Sequence, residues 1–106
     1  MNYRYMRVIV MFDLPTVTSE DRKEYTRFRK SLIKDGFMMM QESVYSKLAL
    51  NQLAAKVYVD HVKKFKPKSG IVQVLLVTEK QFESIVMVVG DKKGDIVDSS
   101  ERMVVL

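Results

Sequence analysis

A carboxylate stands where an apolar run gives out: Met6-Arg7-Val8-Ile9-Val10-Met11-Phe12 ends in Asp13, and Leu14-Pro15 follows. An aspartate at the end of a buried strand is held on a rigid element, where it can ligate a metal ion or orient a reacting group. It also suits the turn before Pro15, because aspartate accepts hydrogen bonds from its own downstream backbone. One carboxylate holds Mg²⁺ weakly, since water keeps most of the coordination sphere. Two copies of Asp13 facing across a two-fold axis would repel each other, and a shared divalent cation would relieve that repulsion. Such an ion polarises a phosphodiester and lowers the pKa of its bound water. Asp13 is therefore the expected catalytic and metal residue, with one Mg²⁺ shared by two chains.

The second chemical signal is cationic. Lys23, Arg27, Lys30 and Lys34 are spaced four, three and four apart, so they share one helical face, opposite Tyr25, Phe28 and Leu32. At 1.5 Å per residue the stripe spans about 16 Å, comparable to two or three phosphate spacings along one strand. A second group, Lys63, Lys64, Lys66 and Lys68, lies at the end of a later helix and in the loop beyond it. Lys63 and Lys64 also suit the negative end of that helix's dipole, and a basic stripe can be simply a solvated face. No base-reading motif accompanies either group, so binding would be to nucleic-acid backbone. If roughly six to ten phosphates were neutralised, affinity would fall about 10³–10⁵-fold between low and moderately high salt.

Other chemistries are excluded or unsupported. There is no cysteine, and His61 is the single histidine, so a zinc site lacks convergent ligands and His61 reads as a helix-surface or core-edge residue. Met38-Met39-Met40 reads as packing, since methionine fills irregular gaps. Neither a glycine-rich phosphate loop nor a Ser-His-Asp arrangement is present, and the aromatic signature of RNA-recognition motifs is missing.

The elements that must position these residues follow from periodicity. Met6 to Phe12 reads as a central strand. Thr18 is placed to cap a helix running to Lys34, which Gly36 stops. Phe37 to Leu50 reads as two short strands passing through Gln41-Glu42-Ser43. Asn51 caps a second helix with an inward stripe of Leu53, Ala54, Val57, Tyr58, Val62 and Phe65. Pro67 and Gly70 then mark a loop, and Ile71 to Val77 reads as a strand. The order β-α-β-β-α-β is that of an α+β, ferredoxin-like sandwich. Residues 1–78 form its core, and 79–106 form a C-terminal extension within the same domain. Ile85 to Val89 and Arg102-Met103-Val104-Val105-Leu106 are two further strand candidates, suited to pairing with the edge of another chain. Two helices cover one sheet face, so the other needs a partner, most simply a second copy stacked sheet on sheet as a symmetric homodimer. Tyr45, Met103, Val104 and Val105 are the expected interface residues.

The chain has 106 residues, 47% apolar and 29% charged, which bounds it to one soluble globular domain. The formal charge of +5 fits a polyanionic partner. The apolar runs are too short to cross a bilayer, and Met1-Asn2-Tyr3-Arg4 is followed by no export-type segment, so a cytoplasmic protein without a membrane partner is expected.

Arg7 through Pro15, then Gly36-Phe37, then Gln41-Glu42-Ser43-Val44-Tyr45, then Thr78-Glu79-Lys80-Gln81-Phe82 closely resemble the CRISPR-associated Cas-two family over essentially the whole chain. The likeness is closest to members accompanying type II systems. The resemblance implies a small ferredoxin-like homodimer that bridges two dimers of the Cas-one integrase and supports foreign duplex DNA, the protospacer, during spacer acquisition. It also implies a metal-dependent endonuclease acting on RNA or DNA. The family's strand-end aspartate falls on Asp13, its Ser-Val-aromatic step on Ser43-Val44-Tyr45, and a basic residue early in the first helix on Arg22, which joins the expected nucleic-acid-binding residues. Some nuclease-active members carry an arginine ahead of that step, where this chain has Met38-Met39-Met40. A cation that could stabilise a pentacoordinate phosphate is thereby lost. A toxin-like ribonuclease of the same fold, working without an integrase, is a third reading.

Overall fold

The computed structural model describes residues 4–90. Strand β1, Met6–Asp13, alternates strictly: Met6, Val8, Val10 and Phe12 are buried, while Arg7, Ile9, Met11 and Asp13 point the other way. It is the central strand of a four-stranded antiparallel sheet with β2 (Met38–Gln41), β3 (Val44–Ala49) and β4 (Ile71–Thr78) in the order β2-β3-β1-β4. With helices α1 (Ser19–Lys34) and α2 (Gln52–Lys64) as crossovers, this is the expected ferredoxin-like βαββαβ sandwich.

Local chemistry sets the helix ends. Thr18 Oγ1 accepts from the Asp21 amide at 3.0 Å while the Asp21 carboxylate accepts from the Thr18 amide at 3.1 Å, a reciprocal capping box. Gly36 ends α1 at φ +99°, a conformation that costs side-chain-bearing residues. Asn51 Oδ1 accepts from the Ala54 amide at 2.8 Å to open α2.

The inward stripe of α2 differs from the one expected. Leu53 and Val57 are exposed, at 74% and 46%, while Ala55 and Val62 are buried, with Ala54, Tyr58, Val59 and Phe65 packed beside them. Apolar residues surround more than half of this helix, so periodicity alone offered two stripes. The small Ala55 lets the helix backbone approach the sheet, and the 55–58–59–62 stripe is the one that packs.

Tyr45 also requires correction. It is 0% exposed on the helix-covered face, opposite Val10, and so belongs to the core of its own chain rather than to an interface. Its ring lies 5.8 Å from Phe12, which also meets Phe28 edge-on at 5.1 Å. Arg29 Nε donates to its hydroxyl at 3.0 Å, so the buried polar end is satisfied.

After β4 the chain turns into a short helix, α3 (Glu79–Glu83), through a second capping box between Thr78 and Gln81. Arg7 donates two hydrogen bonds to Glu79, at 2.8 and 2.6 Å, and its guanidinium lies 4.3 Å from the Phe82 ring centroid. The strand expected over Ile85–Val89 is absent from the described chain. These residues are exposed and join no ladder, and a strand exists only where a ladder partner meets it. The last strand candidate, with Met103, Val104 and Val105, lies outside the described residues.

The face of the sheet opposite α1 and α2 is apolar. By register it carries Ile9, Met11, Val44, Leu48, Ile71 and Leu75, with α3 folded over its Arg7 end. No described helix is long and apolar enough to cross a membrane.

Candidate functional site

Asp13 is the last residue of β1, exposed, and paired in register with Ile71 at one end of this uncovered face. Its backbone is held from three sides. The Phe12 amide donates to the Ser43 carbonyl at 3.1 Å. Arg22 Nη1 donates to the carbonyls of Thr16 and Val17 at 3.2 and 2.8 Å, closing the loop that follows. Gly70, at φ +95°, packs against the turn so closely that a Cβ there would lie 2.8 Å from the Asp13 carbonyl oxygen and 2.7 Å from Leu14 Cδ2. Only a residue without a side chain fits that approach.

Among the described residues no three His, Cys, Asp or Glu side chains converge.

The cations lie on the other side of the molecule. Lys23, Arg27, Lys30 and Lys34 are all exposed on α1, opposite the buried Phe28 and Leu32. Ser19, Arg22, Lys23, Thr26, Arg27 and Lys30 line a shallow depression along this helix. Lys63 and Lys64 are exposed in the last turn of α2, and Lys66 and Lys68 in the loop beyond.

Sequence reasoning treated these as two groups, and the structure ties the loop of the second, with Lys66 and Lys68, to α1 through Glu24 and Arg27. Its carboxylate accepts from Arg27 at 2.9 and 3.0 Å and from the backbone amide of Lys68 at 3.2 Å, while Arg27 Nη2 donates to the Lys66 carbonyl at 3.1 Å. The Arg27 hydrogen bond holds the Glu24 carboxyl below its usual range, and the same bond raises the guanidinium pKa. The Glu24–Arg27 spacing of three residues was visible on the helix. Its reach to a loop some forty residues away carried no sequence signal.

His61 has a structural partner. Its Nδ1 lies 2.9 and 3.2 Å from the two Asp35 carboxylate oxygens, at the end of α1. Lys47 donates to the Asp35 carbonyl oxygen and sits 3.7 Å from the Tyr58 ring centroid. These contacts tie α1, β3 and α2 together, consistent with a core-edge role.

The chain is thus a ferredoxin-like sheet with a strand-end carboxylate on one side and a lysine-rich helix layer on the other. The model of the family CRISPR associated protein Cas2 matches residues 6–85. Three relatives bear the name CRISPR-associated endoribonuclease Cas2. That of Treponema denticola is 50% identical over 95% of this chain and all of its own length. That of Ligilactobacillus salivarius is 43% identical over 95% and 100%. That of Streptococcus mutans serotype c, strain UA159, is 46% identical over 95% and 93%. The chain belongs to the Cas2 family of CRISPR-associated proteins.

Proposed function

We propose that two copies stack through their uncovered sheet faces and that this dimer serves spacer acquisition. It bridges two dimers of the Cas-one integrase and holds the backbone of foreign duplex DNA. The observation that carries this reading is the segregation of the two surfaces. The apolar face that needs covering lies on one side of the sheet, and the exposed lysines lie on the outer side of the helix layer. Stacking the first leaves the second free on both outer sides of the dimer, at a formal +5 per chain. The duplex would be gripped by phosphates, without sequence preference.

A filter-retention titration of a short duplex, with and without the integrase, tests this. The expected result is binding that is indifferent to sequence and steeply salt-dependent, with each of Lys23→Ala and Lys30→Ala lowering the salt slope by about 1. No retention at low salt with the integrase present contradicts the reading.

The exposed strand-end carboxylate supports a second reading, as does the endoribonuclease name of the relatives. Here the dimer cleaves RNA or DNA with one Mg²⁺ held between the two Asp13 side chains. The ion would supply phosphodiester polarisation and a bound water of lowered pKa. The chain's own part is to fix the carboxylate, through β1 and the Gly70 approach. Met38, Met39 and Met40 are exposed on the edge strand and add no cation for the developing phosphate charge. Cleavage that needs divalent metal and disappears in Asp13→Asn, with an intact dimer, is the expected signature. Cleavage persisting in that variant contradicts it.

A further inference from the structure

An acidic side chain in the middle of a basic surface ought to weaken the grip on a polyanion. Glu24 stands at the flank of such a surface, partly buried, one residue after Lys23 and three before Arg27 on α1. Yet its two oxygens are fully committed. Both accept from Arg27, at 2.9 and 3.0 Å, and one also accepts from the Lys68 amide at 3.2 Å. Arg27 in turn donates to the Lys66 carbonyl at 3.1 Å. The pair therefore grasps the backbone of the 65–70 loop at two points two residues apart. The Lys68 charge also helps lower the Glu24 pKa, but neither ammonium forms a direct ion pair with Glu24. Both lysines are exposed, and neither forms an ion pair among the described residues. The opposite end of the loop is fixed by the close approach of Gly70 to Asp13 and Leu14. Pro67 and Ser69 close the crevice between Leu14-Pro15 and Glu24.

We infer that Glu24 is a positioning residue for nucleic-acid backbone: through Arg27 and the Lys68 amide it docks the 65–70 loop onto α1, so that Lys66 and Lys68 extend the Lys23–Lys30 stripe into one phosphate-binding surface. The inference rests on the duplex-binding reading above. Undocked, the loop would leave its lysines spread over many positions, and ordering them again would cost conformational entropy at binding. Docked, that entropy is lost on folding instead. Arg27 acts mainly by organising the surface, since its charge is already compensated by Glu24.

The sign of one substitution separates this from simple electrostatics. Glu24→Gln removes a negative charge from a basic surface, so charge alone predicts tighter duplex binding and a steeper salt dependence. Positioning predicts the reverse: affinity several-fold weaker at low salt, with the salt slope reduced by up to about 2 as two lysines drop out. In a Lys66→Ala, Lys68→Ala background the same substitution has nothing left to position, so it leaves affinity unchanged or raises it. Hydrogen exchange at the Lys68 amide supplies a readout without any nucleic acid, and it is faster in Glu24→Gln than in the wild type. Arg27→Gln reports on the same contact should Glu24→Gln fold poorly. Tighter or unchanged binding by Glu24→Gln, in a wild type that does bind duplex, overturns the inference alone. A wild type that retains no duplex at low salt overturns the surface reading and this inference with it.

Discussion

Replacing Tyr45 by phenylalanine removes one hydroxyl and leaves the ring in place, which makes it a clean probe of single-residue energetics. The hydroxyl accepts from Arg29 Nε at 3.0 Å in a part-buried setting, so its loss costs about 1–2 kcal/mol, read by chemical denaturation. Oligomeric state should not change, because Tyr45 lies wholly inside its own chain. Glu24 gives a pH-dependent counterpart. Its carboxyl is held below the ordinary 4.5 by Arg27, so the stability from this pairing is complete above pH 4.5. That stability is lost as pH falls through the lowered value. Thermal unfolding at stepped pH should show a smaller acid-side loss for Glu24→Gln than for the wild type. At this scale the sequence was most legible where chemistry is local. Thr18, Asn51 and Gly36 act on backbone within a few residues and were read correctly. The exposed strand-end position of Asp13 was legible for the same reason. Tyr45 was not, because alternation along a strand separates two faces without saying which one the helices cover.

Among the elements, the 65–70 loop touches both the β1 turn and α1. Gly70→Ala tests its seat. The added Cβ would sit 2.8 Å from the Asp13 carbonyl oxygen at a φ of +95°, and both the clash and the backbone strain oppose it. The expected cost is about 1–3 kcal/mol, seen as a lowered Tm. Faster hydrogen exchange in the Leu14 turn would accompany it. Periodicity served the elements unevenly. It located all four strands of the sheet and both crossover helices, although the edge strand β2 is exposed on both faces. In α2 it placed Ala54, Tyr58, Val62 and Phe65 correctly but added Leu53 and Val57, which are apolar yet exposed, since only packing against the sheet fixes the edges of the stripe. It also read Ile85–Val89 as a strand from composition, although strand formation depends on a partner edge that composition does not specify.

The whole molecule is a two-sided layer, with apolar sheet on one face and basic helix on the other, and the proposed function rests on that asymmetry. Leu75 lies on the uncovered face, half exposed and outside the core of its own chain. Leu75→Glu should therefore leave the fold intact and convert a dimer into a monomer in sedimentation, since two buried carboxylates cannot be accommodated unpaired. Persistence of the dimer would mean that another surface joins the copies. The apolar character of the uncovered sheet face was legible from the strength of the strand pattern. The docking of the 65–70 loop onto α1 was not, because it depends on long-range contacts of Glu24 and Arg27 with the loop backbone. The duplex-holding scaffold proposed here for spacer acquisition has a direct functional readout. Its most direct test is integration of a short duplex by this protein with its cognate integrase, comparing the wild type with Asp13→Ala. Integration retained in the variant is the predicted result. Integration lost in Asp13→Ala, with dimer and duplex binding intact, would contradict the scaffold account and make the strand-end carboxylate the centre of the chemistry.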